Sequence, residues 1–522
     1  MLHDNKKKNT PTTTPPILHI FSLNKFRLVF VLYSLLIASC IPIQMPETIL
    51  APTNTLASGN ATVPAPTQTR FRKPSATTSS PLPSQTQTSI KPTKTSSQPK
   101  TGRLVTYVPS KGIGNIAVQI VPPQSPRYPE GAGVVVEISA FLTPGKGFPK
   151  GLDIESLGLI HITYLPPGWQ DPSGVSSDGV DDYGGKTSIQ ALRDVIRFAG
   201  GQITDYESRY LADLIAVPPL SDEVGLYAFS HPGISAVNVL ASYGKQIPQA
   251  RYFVGRENPT LEALSAVEVG HIDDQLRRIL NPIYLYPMGY SPTQITMDYN
   301  LVQWEANFHE PASAHVGRPY FDLNRNSRLD PEDYLLGYKV PTIYGKRTYS
   351  VALTRALLEN GCLTKASWPS DLATPEETAS WWPIRSSVKR YHELAVQTPN
   401  LKVMLVFARQ DHVQPAYDKP HIHQAYDGFH NTAGLWIRLN PDSAYLAALN
   451  PKLGASGREN PANAEPVDWM QIESWAYPES RLANQLVALA AVAEMADRTH
   501  ANVWALDLPA PLFNYFAAQQ QP

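Results

Sequence analysis

The stretch VGLYAFSHPGISAVNVLA, residues 224–241, reads as a strand that turns sharply into a helix, with Ser230 at the corner. Its first half is a continuous apolar run of the kind that suits a strand covered on both faces. Pro232 fits the first turn of a helix, where its missing N–H would have had no partner and its fixed φ matches the geometry. A hydroxyl on such a corner is a candidate nucleophile, but it needs a base to take its proton and a third group to orient that base. The surrounding chain has to supply both.

The neighbouring sequence repeats the alternation. GAGVVVEISAFL (131–142), LGLIHITYL (157–165), ARYFVG (250–255), LKVMLVFA (401–408) and GLWIRL (434–439) are further strand candidates, and SIQALRDVIRFAGG (188–201) is an amphipathic helix candidate. Strands alternating with helices predict an α/β class with a mostly parallel sheet flanked by helices.

The order of these elements resembles the α/β-hydrolase fold, with a layout closest to the dienelactone hydrolase and prolyl oligopeptidase type enzymes, from roughly Ile113 to Pro511. The family's elbow reads Gly-x-Ser-x-Gly, because strand and helix approach closely around the nucleophile. Here Ala228 takes the first small position and Pro232 stands in the second. The resemblance implies Ser230 as nucleophile, the His231 backbone N–H as an oxyanion donor, and a second donor near Ala140-Phe141-Leu142. It implies Asp411, at the end of LKVMLVFARQD, as the acid. The family's histidine is expected after GLWIRL, where the chain reads Asn440-Pro441-Asp442-Ser443. The base is therefore unassigned. His412, His421, His423, His430 and His500 read as polar loop or cap residues, and His231 is expected to turn its side chain away from substrate.

A second motif lies in YFDLNRNSRLDPEDYLLGY (320–338). Asp322, Asn324, Asn326, Arg328 through its carbonyl, Asp330 and Asp333 occupy places one, three, five, seven, nine and twelve of a loop resembling the EF-hand. That spacing delivers the hard oxygen ligands Ca²⁺ requires, and Leu329 takes the inward apolar place. Ser327 stands where a glycine normally allows the sharp sixth-place turn, and Asp333 where a longer glutamate binds with both oxygens. Both departures weaken the expected site to a micromolar to millimolar, structural one. No organic cofactor is expected. The loop falls within an insertion, 287–395, whose aromatics suit a cap over the sheet, although Trp381 and Trp382 read first as core residues.

The start of the chain is different in kind. Lys6, Lys7, Lys8, Lys25 and Arg27 precede the apolar run LVFVLYSLLIAS (28–39), shorter than the roughly twenty residues of a comfortable membrane span. Ile37-Ala38-Ser39-Cys40 resembles the lipobox of bacterial lipoproteins, which implies acylation at Cys40 and an extracytoplasmic protein anchored to the bacterial cell membrane. Residues 41–112 are rich in Pro, Thr, Ser and Gln and are expected to form a disordered linker. The core is expected over 113–286 and 396–522.

Cys362 is the other of only two cysteines, so no disulfide framework is expected. Across 522 residues, 44 basic side chains nearly balance 45 acidic ones, which gives no field to attract nucleic acid. Three functional readings follow. The first is an extracytoplasmic serine hydrolase acting on a small-molecule or peptide substrate. The second is a catalytically inactive ligand-binding lipoprotein of the same fold, and the third an adhesive envelope protein supported by its calcium loop.

Overall fold

The computed structural model describes residues 102–505 apart from 140–146, 150, 262–267, 274, 276, 285–294, 296, 311–313, 337–339, 452–461, 467 and 478–480. The signal-like segment, Cys40 and almost all of the expected linker lie outside the described residues, as does the proposed donor loop at Ala140-Phe141-Leu142.

The strands in chain order are β1 (Leu104–Ser110), β2 (Gly114–Val121), β3 (Ala132–Glu137), β4 (Ile160–Tyr164), β5 (Pro219–Phe229), β6 (Ala250–Arg256), β7 (Gly270–Ile272), β8 (Arg278–Leu280), β9 (Val302–His309), β10 (Val316–Phe321), β11 (Tyr334–Leu335), β12 (Thr342–Ile343), β13 (Lys346–Arg347), β14 (Lys402–Val406) and β15 (Trp436–Leu439). Eight of them form one sheet in the order β1-β2-β4-β3-β5-β6-β14-β15. From β4 to β15 all neighbours are parallel, and β2 runs antiparallel to both β1 and β4. This is the strand order of an α/β-hydrolase sheet. It reverses direction between β3 and β5, and open parallel sheets offer a crevice beyond their carboxyl ends at such a point.

The central strands are the most apolar in sequence because both faces are covered. Every residue of β3 and β4 is buried. On one face lie α1 (Lys186–Ala199) and α2 (Pro232–Tyr243). The α1 helix turns Ile189, Leu192, Val195, Ile196 and Ala199 inward at the spacing of a single helical stripe, and Asp182 caps its start by accepting from the Thr187 and Ser188 N–H groups. Through the insertion and beyond follow α3 (Val351–Glu359), α4 (Pro375–Trp381), α5 (Tyr391–Gln397), α6 (Pro420–Tyr426), α7 (Ser443–Leu449) and α8 (Arg481–Ala501).

The alanine-rich α8 covers the other face, packing Val487, Ala491, Val492 and Met495 with Val135, Tyr227, Tyr252, Val254 and Met404. Its polar anchor is Asp497. Arg127 Nε and Nη2 donate to the two Asp497 oxygens at 2.6 and 2.7 Å, and the hydroxyls of Tyr128 and Tyr445 each donate to the same carboxylate at 2.8 Å.

Two boundaries differ from the sequence reading. The described residues include β1, which lies within the expected linker, because LVTYVPS alternates buried and exposed residues as an outer strand does. The insertion starts directly after β6, well before residue 287, so β7 and β8 belong to it. It carries its own small core around Val302, Phe321, Tyr334, Leu353 and Leu357. Trp382 is buried in a separate small cluster with Ile343 and donates its indole N–H to Tyr349 O at 2.7 Å, while Trp381 packs beside Tyr344. Cys362 is a free thiol donating to Val302 O.

Candidate active site

The turn after β5 is a strained corner. Ser230 has φ 64°, the left-handed region that costs a non-glycine residue ~1–2 kcal/mol. The surroundings over-determine it. Ser230 N donates to Arg256 O at 2.9 Å, and one Asn258 amide nitrogen donates to the carbonyls of Ala228, Ser230 and Arg256 at 3.2, 2.6 and 3.1 Å. This side chain clips the corner to the end of β6. It needs space, and two glycines leave it: a Cβ at Gly233 would lie 2.2 Å from Asn258 Cγ, and one at Gly255 would lie 2.2 Å from Asn258 Oδ1. The small residue that the elbow requires beyond its serine therefore sits at 233, one place after Pro232.

Ser230 Oγ lies 2.9 Å from His412 Nε2, and His412 Nδ1 lies 2.6 Å from Glu257 Oε2. The sequence reading missed both partners. Glu257 is the first residue beyond β6, and its N–H donates to Val406 O at the end of β14, which holds its buried carboxylate between two strand ends. His412 follows β14 by a short loop. In chain order the three are Ser230, Glu257 and His412: the carboxylate follows the strand next to that of Ser230, and the imidazole stands where the acid was expected.

Asp411, expected as the orienting acid, does not pair with an imidazole. Its oxygens accept from Val413 N at 2.9 Å and from the Gln414 side-chain amide at 2.8 Å. Gln414 Oε1 in turn accepts from the N–H groups of His421 and Ile422 at the start of α6. Asp411 therefore shapes the loop that carries His412. Burial, and then the charge of Glu257, push the Asp411 carboxyl up to about 6.

The electrostatics follow the same geometry. Burial raises the Glu257 pKa, but the hydrogen bond and charge of His412 outweigh it and the net shift is downward, so Glu257 stays ionised. Burial draws His412 down, whereas the hydrogen bond and charge of Glu257, with Asp411 behind it, leave it above the ordinary imidazole value. His231 is not turned fully away: its Nδ1 lies 3.3 Å from Ser230 Oγ. Burial, together with the charges of His412 and His421, lowers its pKa to about 3 and keeps it neutral. The His231 backbone N–H stands at the start of α2, where helix geometry provides no intrahelical acceptor and the helix dipole favours negative charge. Phe229, its ring 4.9 Å from that of His412 and 39% exposed, forms an apolar wall, with the Arg256 guanidinium 4.4 Å above it.

The other histidines weighed as the base have structural contacts. His421 Nδ1 meets Thr260 N and Oγ1, His423 stacks on Trp469, His430 lies near Leu435 O, and His500 pairs with Glu223. Two donor clusters suitable for a metal stand out among the described residues. One is Glu257, Asp411 and His412, whose imidazole nitrogens already face Ser230 and Glu257; the other is His423, Asp427 and Glu465.

The 322–333 loop is carried between β10 and β11, on a hairpin, without flanking helices. Its side chains converge. Asp322 accepts from Asn326 N and Ser327 N at 3.2 and 2.7 Å, Asp333 accepts from Leu323 N and Asp330 N, both at 2.9 Å, and the Asn324 and Asn326 amides face Asp330 at 3.3 and 2.7 Å. Asn326 Oδ1 accepts from the N–H of Arg328. Ser327 adopts φ 59°, so the sixth place makes its sharp turn without a glycine.

No family model matches the chain, and no curated protein matches it. Among solved structures it is similar to puromycin hydrolase, with 11% identity and a TM-score of 0.36 over 79% of this chain and 41% of that one. It is also similar to dipeptidyl peptidase 4 of Porphyromonas gingivalis, with 9% identity and a TM-score of 0.30 over 65% of this chain and 31% of that one. An esterase of Pyrococcus furiosus gives 13% identity and 0.22 over 32% and 53%. The chain spans well under two thirds of the length of each of these proteins.

Proposed function

We propose that the chain is a serine hydrolase acting on an ester or peptide carbonyl, with Ser230 as nucleophile, His412 as general base and Glu257 as the acid that orients it. The observation that carries this reading is the continuous relay from Ser230 Oγ to His412 at 2.9 Å and from His412 to Glu257 at 2.6 Å. Both distances are within the reach that proton transfer requires.

The chemistry follows from the placement. His412 Nε2 accepts the hydroxyl proton as Oγ attacks the carbonyl carbon. Glu257, held ionised, fixes the tautomer with Nδ1–H directed at its carboxylate and stabilises the imidazolium that forms. The His231 N–H donates to the oxygen on which charge develops. His412 then returns its proton to the leaving group, and a water repeats the sequence on the acyl-serine. The imidazole at 412, within reach of Ser230, supports the catalytic reading over the inactive-binding one, although no histidine follows β15.

The test is labelling of the full chain with a fluorophosphonate probe. Wild type is expected to label and Ser230→Ala to lose the label. Folded wild-type protein that resists the probe would overturn the reading.

The proposal extends to the cell: acylation at Cys40 would tether the enzyme to the outer side of the bacterial cell membrane, with the polar segment after it as spacer. Mass spectrometry of the N-terminal peptide tests this through the added acyl mass on Cys40. The 322–333 loop is proposed to hold Ca²⁺ as a structural ion through Asp322, Asn324, Asn326, the Arg328 carbonyl, Asp330 and Asp333. Its support is the convergence of these side chains around a closed turn. Calorimetry showing no heat of Ca²⁺ binding at millimolar ion would remove it.

A further inference from the structure

Ser230 Oγ has two imidazoles beside it, His412 Nε2 at 2.9 Å and His231 Nδ1 at 3.3 Å. The relay to Glu257 uses only the first. A serine hydroxyl has one hydrogen to give and lone pairs with which to accept, so the two contacts are of opposite kinds.

The neighbours of each ring settle which is which. In neutral His412, Nδ1 faces the ionised Glu257 carboxylate, which can only accept, so Nδ1 carries the ring proton and Nε2 accepts from the serine hydroxyl. With its hydrogen directed at His412, Oγ has only lone pairs to offer on the side of His231. The 3.3 Å contact is then attractive when His231 Nδ1 carries a proton and donates it. Burial, with the charges of His412 and His421, lowers the His231 pKa to about 3. The ring is therefore neutral near pH 7, too weak a base to compete with His412 for the hydroxyl hydrogen, and adds no second positive charge beside the imidazolium that forms on His412. The first turn of α2 carries the ring: His231 is helical at φ −50° and ψ −34°, and Gly233 N and Ile234 N donate to the Ser230 and His231 carbonyls at 3.0 Å.

We propose that the His231 side chain is a second catalytic histidine, one that donates a hydrogen bond from Nδ1 to Ser230 Oγ and assists the departure of that oxygen from the acyl-enzyme. The inference rests on the serine-hydrolase reading. In acylation the effect is mixed, because a donor eases loss of the hydroxyl proton but draws electron density from the attacking oxygen. In deacylation it is one-sided. His412 Nε2 takes a proton from water as the water oxygen bonds to the carbonyl carbon. The C–Oγ bond of the tetrahedral intermediate then breaks, its electron pair passes to Oγ, and the proton on His412 Nε2 follows it, which restores the serine and frees the acid. Charge grows on Oγ as that bond breaks, so the His231 donor binds the transition state more strongly than the acyl-serine, and only such differential binding speeds the step.

The full chain is tested with p-nitrophenyl acetate by stopped-flow absorbance, with the acyl-serine followed by intact mass during turnover. His231→Leu removes the donor, His231→Asn places an amide N–H near the position of Nδ1, and both keep the backbone N–H at 231. His231→Leu is expected to slow deacylation about tenfold, the worth of one hydrogen bond to a charged group. It should lower KM along with kcat and raise the fraction of acyl-serine, while kcat/KM, which reports acylation, falls less than kcat. His231→Asn should recover most of the loss. An unchanged deacylation rate in His231→Leu, or kcat and kcat/KM lowered equally in both variants, would overturn the inference and leave the hydrolase reading standing. Wild type that hydrolyses the ester no faster than Ser230→Ala would overturn both.

Discussion

Ser230 and Ser327 share an uncommon backbone conformation, at φ 64° and 59°, in regions that support it differently. Around Ser230 the support comes from outside: the carbonyl of Arg256, the Asn258 clip and the closely packed Gly233 and Gly255 all belong to other elements or to the helix beyond. Around Ser327 the loop supports itself, through the Asp322 carboxylate bonded to backbone N–H groups a few residues on. The first strain is locked by the sheet and presents a hydroxyl to a base. The second is held by hydrogen bonds to the Asp322 carboxylate, within the loop proposed to take Ca²⁺. The same φ is thus fixed from outside the turn in one place and from within it in the other.

The largest expected effect tests the corner's purpose. Ser230→Ala should lower kcat against an activated ester by ~10⁴-fold or more, as removal of a triad serine does elsewhere, and leave thermal stability nearly unchanged because the neighbours still fix the backbone. A large drop in Tm would show that the hydroxyl itself supports the fold.

Next in size, Glu257→Gln should cost ~10²–10⁴-fold in kcat, whereas Asp411→Asn should cost far less. The pH profile separates the two. Glu257 raises the His412 pKa, and only neutral His412 can accept the serine proton. Wild-type kcat/KM should therefore rise with pH through an inflexion above the ordinary imidazole value of ~6.5. Removing the carboxylate charge should move that inflexion to lower pH. An inflexion that moves with Asp411→Asn and not with Glu257→Gln would reverse the assignment.

The packing half of the comparison is sharpened by Gly233→Val. The added branch meets Asn258 in a filled space, so a loss of ~1–3 kcal/mol is expected in urea unfolding, together with lost activity. The smallest effect belongs to the loop. Ser327→Gly relieves the left-handed penalty and should stabilise the protein by about 1 kcal/mol or less. Because Ser327 already holds the sharp sixth-place turn, the loop's affinity for Ca²⁺ should change less than about threefold. A large gain in affinity instead would mean that closure, and its strain, come only with binding.

What the sequence discloses depends on the range of the signal. The elbow was legible because an apolar run, a serine, a proline and a helix follow one another within eighteen residues. The α/β class followed from the same local alternation. Glu257 and His412 were not legible, since their roles depend on which strand ends lie side by side, and 155 residues separate them. A clue was present: Glu257 stands one step past a clear strand, as Asp411 follows another, but the family's assignment of roles to strands pointed elsewhere. Gly233 was missed for a related reason, because the space it leaves is needed by Asn258, a residue from another strand's end. β1 was missed because its alternation is short and lies beside a composition typical of linkers.

The salt bridge between Arg127 and Asp497 joins residues 370 positions apart. During synthesis the sheet therefore waits for one of its last described elements before its second face is sealed, and the whole insertion must be made in the interval. Contacts this distant slow folding and leave apolar surface uncovered meanwhile. The molecule's most vulnerable period is set less by the weakness of any contact than by the order in which its parts emerge.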